Sequence, residues 1–332
     1  MAKKALASRY LFNNWLSVLV KYALVRLGFD VKLIAKINDC SLEMTPEAFE
    51  RFVSRFSRGL VKSVECIDGK VFVNGVKVKS IDDAVHNMEV WARVFGWIYD
   101  SAKNYWFKGD VKFRRMYWSI FEVFDYGRYK SLNVKDRVVV DVGAFVGDSA
   151  IYFALKGARK VIAIEPHPGA YEEMLENIRL NKLEDVIVPI NAGLASRHGR
   201  IRIESIDIER TAVTYHRPGK CGGEIMALCL DELINRWGID SNAVLKLDCE
   251  GCEYDIVLND YAHIKLFDEI LLEYHANVGG KPGKLLKALS RDYRCKVVER
   301  CGRNGIIHCT KKVMRIPCVR GAIIQLQTPT RL

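Results

Sequence analysis

Acidic side chains recur at the ends of apolar runs in this sequence. VVVDV (138–142) carries Asp141, and KVIAIE (160–165) ends on Glu165, 24 residues later. VLKLD (244–248) ends on Asp248, with Glu250 and Glu253 close behind, and EILLEYH (269–275) contains Glu273 and ends on His275. Carboxylates and an imidazole gathered at strand ends can accept hydrogen bonds from a ribose, offset a cationic ligand, or take a proton from a reacting hydroxyl. Between Asp141 and Asp148 the chain reads Gly143-Ala144-Phe145-Val146-Gly147. An apolar run, a glycine turn and a helix start are the parts of a nucleotide-binding turn.

The turn does not suit a dinucleotide. That fingerprint needs a middle glycine so that backbone can approach a pyrophosphate, and Phe145 stands in that region. Asp148 would put a negative charge at a helix N-terminus, where a phosphate would have to sit. No glycine-lysine-serine/threonine run follows a strand, so a phosphate-binding loop of the NTPase kind is absent as well. An adenosyl cofactor with a cationic centre and no phosphate fits better, because acids then attract it. S-adenosyl-L-methionine, with a sulfonium and an amino group, is such a molecule. Asp141, Gly143, Ala144, Phe145, Gly147 and Asp148 are expected to form its loop, with Ser149 as a helix cap. Glu165 is expected on the ribose hydroxyls. Pro166 and His167 should run past the adenine, with His167 either stacked on it or exposed. Asn191 and Ala192, at the end of VIVPIN, should border the adenine too. Glu122, in FEVFDYGRY, is a candidate for the methionine amino group, although a surface acid is the commoner role.

These residues need a scaffold, and the pattern supplies one. From residue 137 strands and helices alternate: strands at 138–142, 160–165, 186–191, 244–248 and 269–275, with helical patterns near 148–157, 169–182, 231–237, 253–259 and 281–290. Such alternation predicts an α/β fold, a mostly parallel sheet with helices on both faces. CKVVERC (295–301) and GIIHCTK (305–311) predict an antiparallel hairpin at the end, and GRIRIES (199–205) an extra polar strand. Residues 1–130 read as a smaller α+β part: a helix over 5–28, a strand near 31–36, a helix from Thr45-Pro46, a hairpin around Asn74-Gly75, a helix over 80–97 and a hairpin around Gly109-Asp110. The sheet domain is expected over 131–312, with a basic tail at 313–332.

The net charge of +11 sits on the flanks. Residues 1–130 carry 22 Lys and Arg against 14 acids, residues 131–310 carry 24 against 26, and residues 311–332 carry five against none. An anionic partner or a solvated lysine-rich face would each account for this. YWFKGDVKFRRMYW (105–118) mixes aromatics with Lys108, Lys112, Arg114 and Arg115, a composition that suits single-stranded RNA or, more simply, a half-buried hairpin. WLSVLVKYALVRLGF (15–29) is the most apolar stretch. It is too short to span a bilayer, and either packs on its own domain or lies on a membrane surface. No secretory signal is evident, and a cytoplasmic location is expected. The ten cysteines lack the density of a disulfide scaffold. Cys249 and Cys252 have no second pair for zinc. Cys301 and Cys309 could pair across the terminal hairpin, but free thiols are expected.

DVGAFVGDSAIYFALKGARKVIAIEPHPGAYEEMLENIRLN (141–181) resembles the first two strands of class I S-adenosylmethionine-dependent methyltransferases. CLDELINRWGID (229–240), LKLDCEGCEYDIVL (245–258) and LLEYHAN (271–277) resemble the FkbM family within that class. The resemblance covers about 125–310 and implies a Rossmann-like sheet and O-methylation of a hydroxyl on a glycan, a lipid-linked glycan or a small metabolite. Methyl transfer from a sulfonium is a direct displacement that needs alignment and, for a hydroxyl acceptor, a base. Asp248 is the expected positioning residue, and His275 or Glu250 the expected base. Glu253 also reads as a helix N-terminal acid. A divalent metal on Asp248, Glu250 and Glu273 is allowed by ligand type, but none is expected. The first half, through LNKLED, is also similar to archaeal-type tRNA methyltransferases, although Asp248-Cys249-Glu250-Gly251 stands where those would carry an asparagine-proline motif. A non-catalytic protein that binds the cofactor and an anion is the third reading.

Overall fold

Valine and isoleucine dominate the runs after residue 137, and these β-branched residues build the central sheet. The structure, a computed structural model, describes residues 2–203, 223–276, 280–301 and 304–312. The tail at 313–332, the end of the 199–205 segment and the turn at 302–303 lie outside the described residues. The sheet strands are β1 (Val138–Val142), β2 (Lys160–Ile164), β3 (Ile187–Ile190), β4 (Val244–Leu247), β5 (Glu269–His275), β6 (Tyr293–Cys301) and β7 (Asn304–Lys311). Their order is β3-β2-β1-β4-β5-β7-β6. β1 to β5 are mutually parallel, and β7 runs antiparallel between β5 and β6. The helices between them are α1 (Asp148–Leu155), α2 (Pro168–Asn181), α3 (Leu230–Trp237), α4 (Cys252–Asn259), α5 (Tyr261–Ile264) and α6 (Pro282–Leu289). All five parallel strands and the terminal hairpin stand where the alternation puts them. The short α5, only four residues long, has no sequence signal of its own.

The order reverses between β1 and β4. Their carboxyl ends diverge there and open the crevice in which α/β sheets bind ligands. Side chains alternate across the sheet as the pleat requires. Val139, Val161, Ala163, Val244 and Leu271 face a cluster shared with the N-terminal residues, while Val140, Ile162, Ile164, Leu245, Leu247 and Ile270 face the cluster on the other side. The polar strand Gly199–Ile203 joins Gly223–Leu228 and Gly193–Leu194 in a separate small sheet beside the main one.

The N-terminal residues form small sheets and short helices. Both expected hairpins are present, as Lys70–Val73 with Val76–Val78 and Tyr105–Lys108 with Val111–Phe113. The helix expected over 5–28 is two helices, Ala2–Leu11 and Trp15–Arg26. Asn13 and Asn14 break it, because their side chains bond the backbone of Asn38, Lys36 and Ile34 instead of continuing the turn. The helix expected over 80–97 breaks at Asn87, whose side chain makes a local cap on a second helix, Met88–Val94, through Glu89 N (2.9 Å).

The 105–118 segment bolts onto α2. Lys112 N donates to Asn181 Oδ1 (3.0 Å), Arg114 N to Asn177 Oδ1 (2.9 Å) and Tyr117 Oη to Glu173 Oε2 (2.8 Å). Three of its four cations are engaged: Arg115 pairs with Glu173, Arg114 with Glu176 and Lys108 with Asp125. Trp106 and Phe113 are buried. These two aromatics therefore serve as packing, while Tyr105, Phe107 and Trp118 are half-buried.

Three disulfides join described cysteines: Cys40–Cys66, Cys249–Cys252 and Cys295–Cys309. This corrects the expected free thiols. Cys309 pairs with Cys295, which lies directly opposite it in the β6–β7 register, whereas Cys301 stands opposite Asn304.

Candidate active site

Gly143 leaves β1 at φ +76°, and a Cβ there would lie 1.8 Å from the Asp248 carbonyl oxygen. Only glycine lets the two strand ends approach this closely. Phe145 takes the left-handed conformation at φ 48° and turns its N–H to Glu165 Oε2 (2.8 Å), while His167 N donates to Glu165 Oε1 (2.8 Å). Two backbone donors thus fix the carboxylate at the end of β2. Burial nevertheless lifts Glu165 to about 7, against the pull of those two bonds. Burial also lifts Asp148, at the start of α1, to about 6.

A cavity of about 290 Å³ opens over these strand ends. Among the expected residues, Gly143, Phe145, Asp148, Ser149, Glu165, Pro166, Ala192, Glu122, Asp248 and Glu250 line it. The adenosyl cofactor fits this set: a fixed carboxylate at β2, close backbone at Gly143, and apolar walls from Ile164, Pro166, Ala192 and Leu194.

Several expected residues serve the site from behind. Asp141 is fully buried and pairs with Lys246 Nζ (2.9 Å) while accepting from Ser149 Oγ (2.6 Å). It is an internal counter-ion, because it and Lys246 are direct partners across β1 and β4. Lys246 Nζ also donates to Gly143 O (2.7 Å) and Val142 O (3.2 Å), so this ammonium ties the glycine turn to β4. Burial would lower its pKa, but Asp141 and Asp248 outweigh burial and raise it. Ala144 is buried, with its N–H on Ile164 O (3.0 Å), and Gly147 caps α1 at φ 87°. His167 caps α2, its Nδ1 accepting from Ala170 N (3.2 Å), and it does not line the cavity. Asn191 Nδ2 donates to Glu165 O (2.9 Å) and Pro166 O (3.3 Å), so its amide staples the β2 and β3 ends.

His275 is the largest correction. It is buried and does not line the cavity. Burial works against its charge, but hydrogen bonds to Glu250 (3.2 Å) and Glu253 (3.2 Å) and the charge of Asp248 push it up to about 11. An imidazolium has no lone pair to accept a proton, so His275 is a buried cation that gathers carboxylates. Glu253, expected at a helix start, is wholly buried and accepts His275 N (3.0 Å) and Gly251 N (2.8 Å).

The acid to which sequence reasoning gave only a metal-ligand role is Glu273. It lines the cavity and bonds Arg128, which also bonds Glu122. Burial and the charge of Asp248 raise Glu273 to about 8, although Arg128 and His275 oppose this. Asp248 behaves oppositely: burial would raise it, but Lys246, Arg128 and His275 together hold it below the usual range. The environments of these two neighbouring carboxyls thus drive their pKa values apart, a pattern shared by acid/base sites and by structural ion-pair networks. Asp248, Glu273 and His275 also bring ligand atoms within 4.8 Å of one another, a spacing that a metal ion could bridge. Arg128 and Tyr129, just before β1, complete the wall, and their local sequence carries no signal of this. Lys246 did carry one: a lysine inside an apolar run of a doubly covered strand needs a buried partner.

Residues 102–216 match the TRM5/TYW2 methyltransferase domain. The hexuronic acid methyltransferase AglP of Haloferax volcanii is 27% identical over 148 residues, 44% of this chain and 59% of that protein. The tRNA (guanine(37)-N(1))-methyltransferase Trm5b of Methanocaldococcus jannaschii is 48% identical over 141 residues, 39% of this chain and 38% of that protein. The methyltransferase FkbM of Methylobacillus flagellatus KT, a solved structure, aligns at TM-score 0.40 and 17% identity over 55% of this chain and 46% of that one. The matched stretches span less than two thirds of each of these relatives. Together with the sheet order and the glycine turn, the matches identify a class I S-adenosylmethionine-dependent methyltransferase domain in this chain.

Proposed function

We propose that this chain methylates an oxygen of an acidic sugar or a related anionic metabolite, in the manner of the FkbM type. Bound S-adenosylmethionine supplies an electrophilic methyl on a sulfonium. Glu165 accepts the ribose hydroxyls, Glu122 and Asp148 face the cationic methionine end, and Asp248 aligns the acceptor. Glu273 takes the hydroxyl proton, and Glu250 borders it.

The observation that carries this reading is the wall of Asp248, Glu250 and Glu273, with Glu273 lifted to about 8. An oxygen nucleophile needs a base with a pKa near the working pH. A second cavity of about 380 Å³ adjoins the first across Arg58, Glu122, Arg128 and Glu299, and Lys130 lines it as well. Arg58 and Lys130 enter no described ion pair, so they are available to an acceptor's carboxylate. The hexuronic acid relative supports that acceptor class.

A tRNA acceptor is the second reading, favoured by the 48% identity to Trm5b. Against it stands Asp248-Cys249-Glu250-Gly251 at the end of β4, where the archaeal-type tRNA enzymes that the first half resembles would carry an asparagine-proline motif. Methyl-labelled cofactor, purified protein and either hexuronic acid glycans or total tRNA decide between them. Label in the glycan, lost on Glu273→Gln, supports the proposal, and label in tRNA overturns it. Glu165→Ala should weaken S-adenosylhomocysteine binding about 10- to 100-fold by calorimetry, the worth of a hydrogen bond to a charged group. Unchanged affinity would remove Glu165 from the cofactor site.

A further inference from the structure

The helix Trp15–Arg26 is apolar on two opposite sides. Val18 is buried, and Leu19 and Tyr22 pack against the N-terminal core. At about 3.6 residues per turn, Leu16, Val20 and Leu27 share one stripe on the side away from Val18. They are 61%, 59% and 74% exposed, and Phe29 just beyond is 58% exposed. An apolar outer face on a surface helix calls for a cover. Six of the fourteen large apolar residues exposed among the described residues lie between Leu6 and Phe29, so the feature is local.

The charges around the stripe indicate what covers it. Lys21 and Arg26 flank it on its two sides, and neither enters a described ion pair. Arg9 is exposed on the preceding helix, beside the exposed Leu6 and Tyr10. Asp30 is the only acid before Asp39. A narrow aliphatic stripe between cations is the pattern of a helix lying in the headgroup region of an anionic bilayer. The helix has 12 residues, and no described helix is long and apolar enough to cross a membrane, so contact would be peripheral.

We propose that the 15–29 segment docks this protein onto an anionic lipid surface, its aliphatic stripe in the interface and Lys21 and Arg26 on the headgroups. This goes beyond the proposed acceptor and does not depend on it.

The test is flotation of the full chain with vesicles of phosphatidylcholine alone and of phosphatidylcholine with phosphatidylglycerol. Co-flotation with the anionic vesicles is expected, and it should fall as salt rises. Leu16→Glu or Leu27→Glu should each cut partitioning more than about tenfold, because a buried leucine is worth about 1.5–3 kcal/mol. Lys21→Gln and Arg26→Gln should each cut it about fivefold. Retained S-adenosylhomocysteine binding keeps a failure to fold apart from a failure to dock. Three results overturn the proposal. One is no flotation of the unaltered protein with either vesicle. Another is equal flotation with both. The third is self-association of the soluble protein that Leu16→Glu abolishes, which would assign the stripe to a second copy.

Discussion

Replacing Lys246 by methionine tests whether one buried ion pair holds the two halves of the cofactor site together. Lys246 and Asp141 are 1% and 0% exposed, with 2.9 Å between charged atoms. Methionine fills much of the lysine volume but leaves Asp141 with Ser149 Oγ as its remaining described side-chain partner, and removes the donor from Gly143 O and Val142 O. Breaking a buried pair from one side costs about 3–5 kcal/mol, because the remaining charge stays buried without compensation. Each kcal/mol shifts the melting temperature of a domain of this size by about 2–4 °C, so a fall of about 6–20 °C is expected. Denaturant unfolding of Lys246→Met, Asp141→Asn and the double variant measures the coupling. The double variant should lose at least about 1 kcal/mol less than the sum of the singles, since neither charge is then stranded. Additivity within about 0.5 kcal/mol, or a single-variant cost below about 1 kcal/mol, would refute the reasoning. S-adenosylhomocysteine affinity should fall in Lys246→Met as well, because the Gly143 turn loses its tie to β4.

Three further outcomes are expected. Glu273 titrates at about 8, and a base must be deprotonated to act, so methyl transfer should rise with pH up to about 8 and fall about tenfold per unit below it. Glu273→Gln should lower the rate by about 10²–10⁴ and flatten that limb, while a flat profile in the unaltered protein would exclude Glu273 as the base. His275 keeps its charge up to about 11, so His275→Gln removes a cation from beside Asp248, Glu250 and Glu273. The rising limb should then move to higher pH, whereas a loss of rate with no shift would mean the histidine does not act on Glu273. Cys295→Ser opens a bond between residues 14 apart and should cost about 3 kcal/mol in denaturant unfolding, an effect that reductant reproduces in the unaltered protein.

The sheet was legible because its signal is periodic and local. Runs such as Val138–Val142 and Glu269–His275 declare buried parallel strands, and the glycines and acids between them declare a ligand turn. What failed was set by single side chains that bond backbone far along the chain. Asn13 and Asn14 end a helix by bonding residues 34–38, and nothing in the helical pattern announces that. The disulfides were illegible for a related reason: Cys295 and Cys309 meet only once the β6–β7 register is known.

The site shows the same division more sharply. Residue type and spacing told which acids reach the strand ends, since a strand's end fixes a position. They did not tell which of those acids faces the cavity, because that depends on partners from distant segments. Arg128 arrives from before β1, His275 ends β5, and Glu253 reaches back from α4 to bond the histidine. Once His275 is held as a cation by Glu250 and Glu253, it cannot be the base its type suggests. In the proposed mechanism the role falls to Glu273, two residues earlier on the same strand, whose side chain leans toward Arg128 and the cavity. A histidine among acids thus does opposite work from a histidine beside a hydroxyl. The number of carboxylates around the ring, which no spacing in the chain reveals, decides between the two.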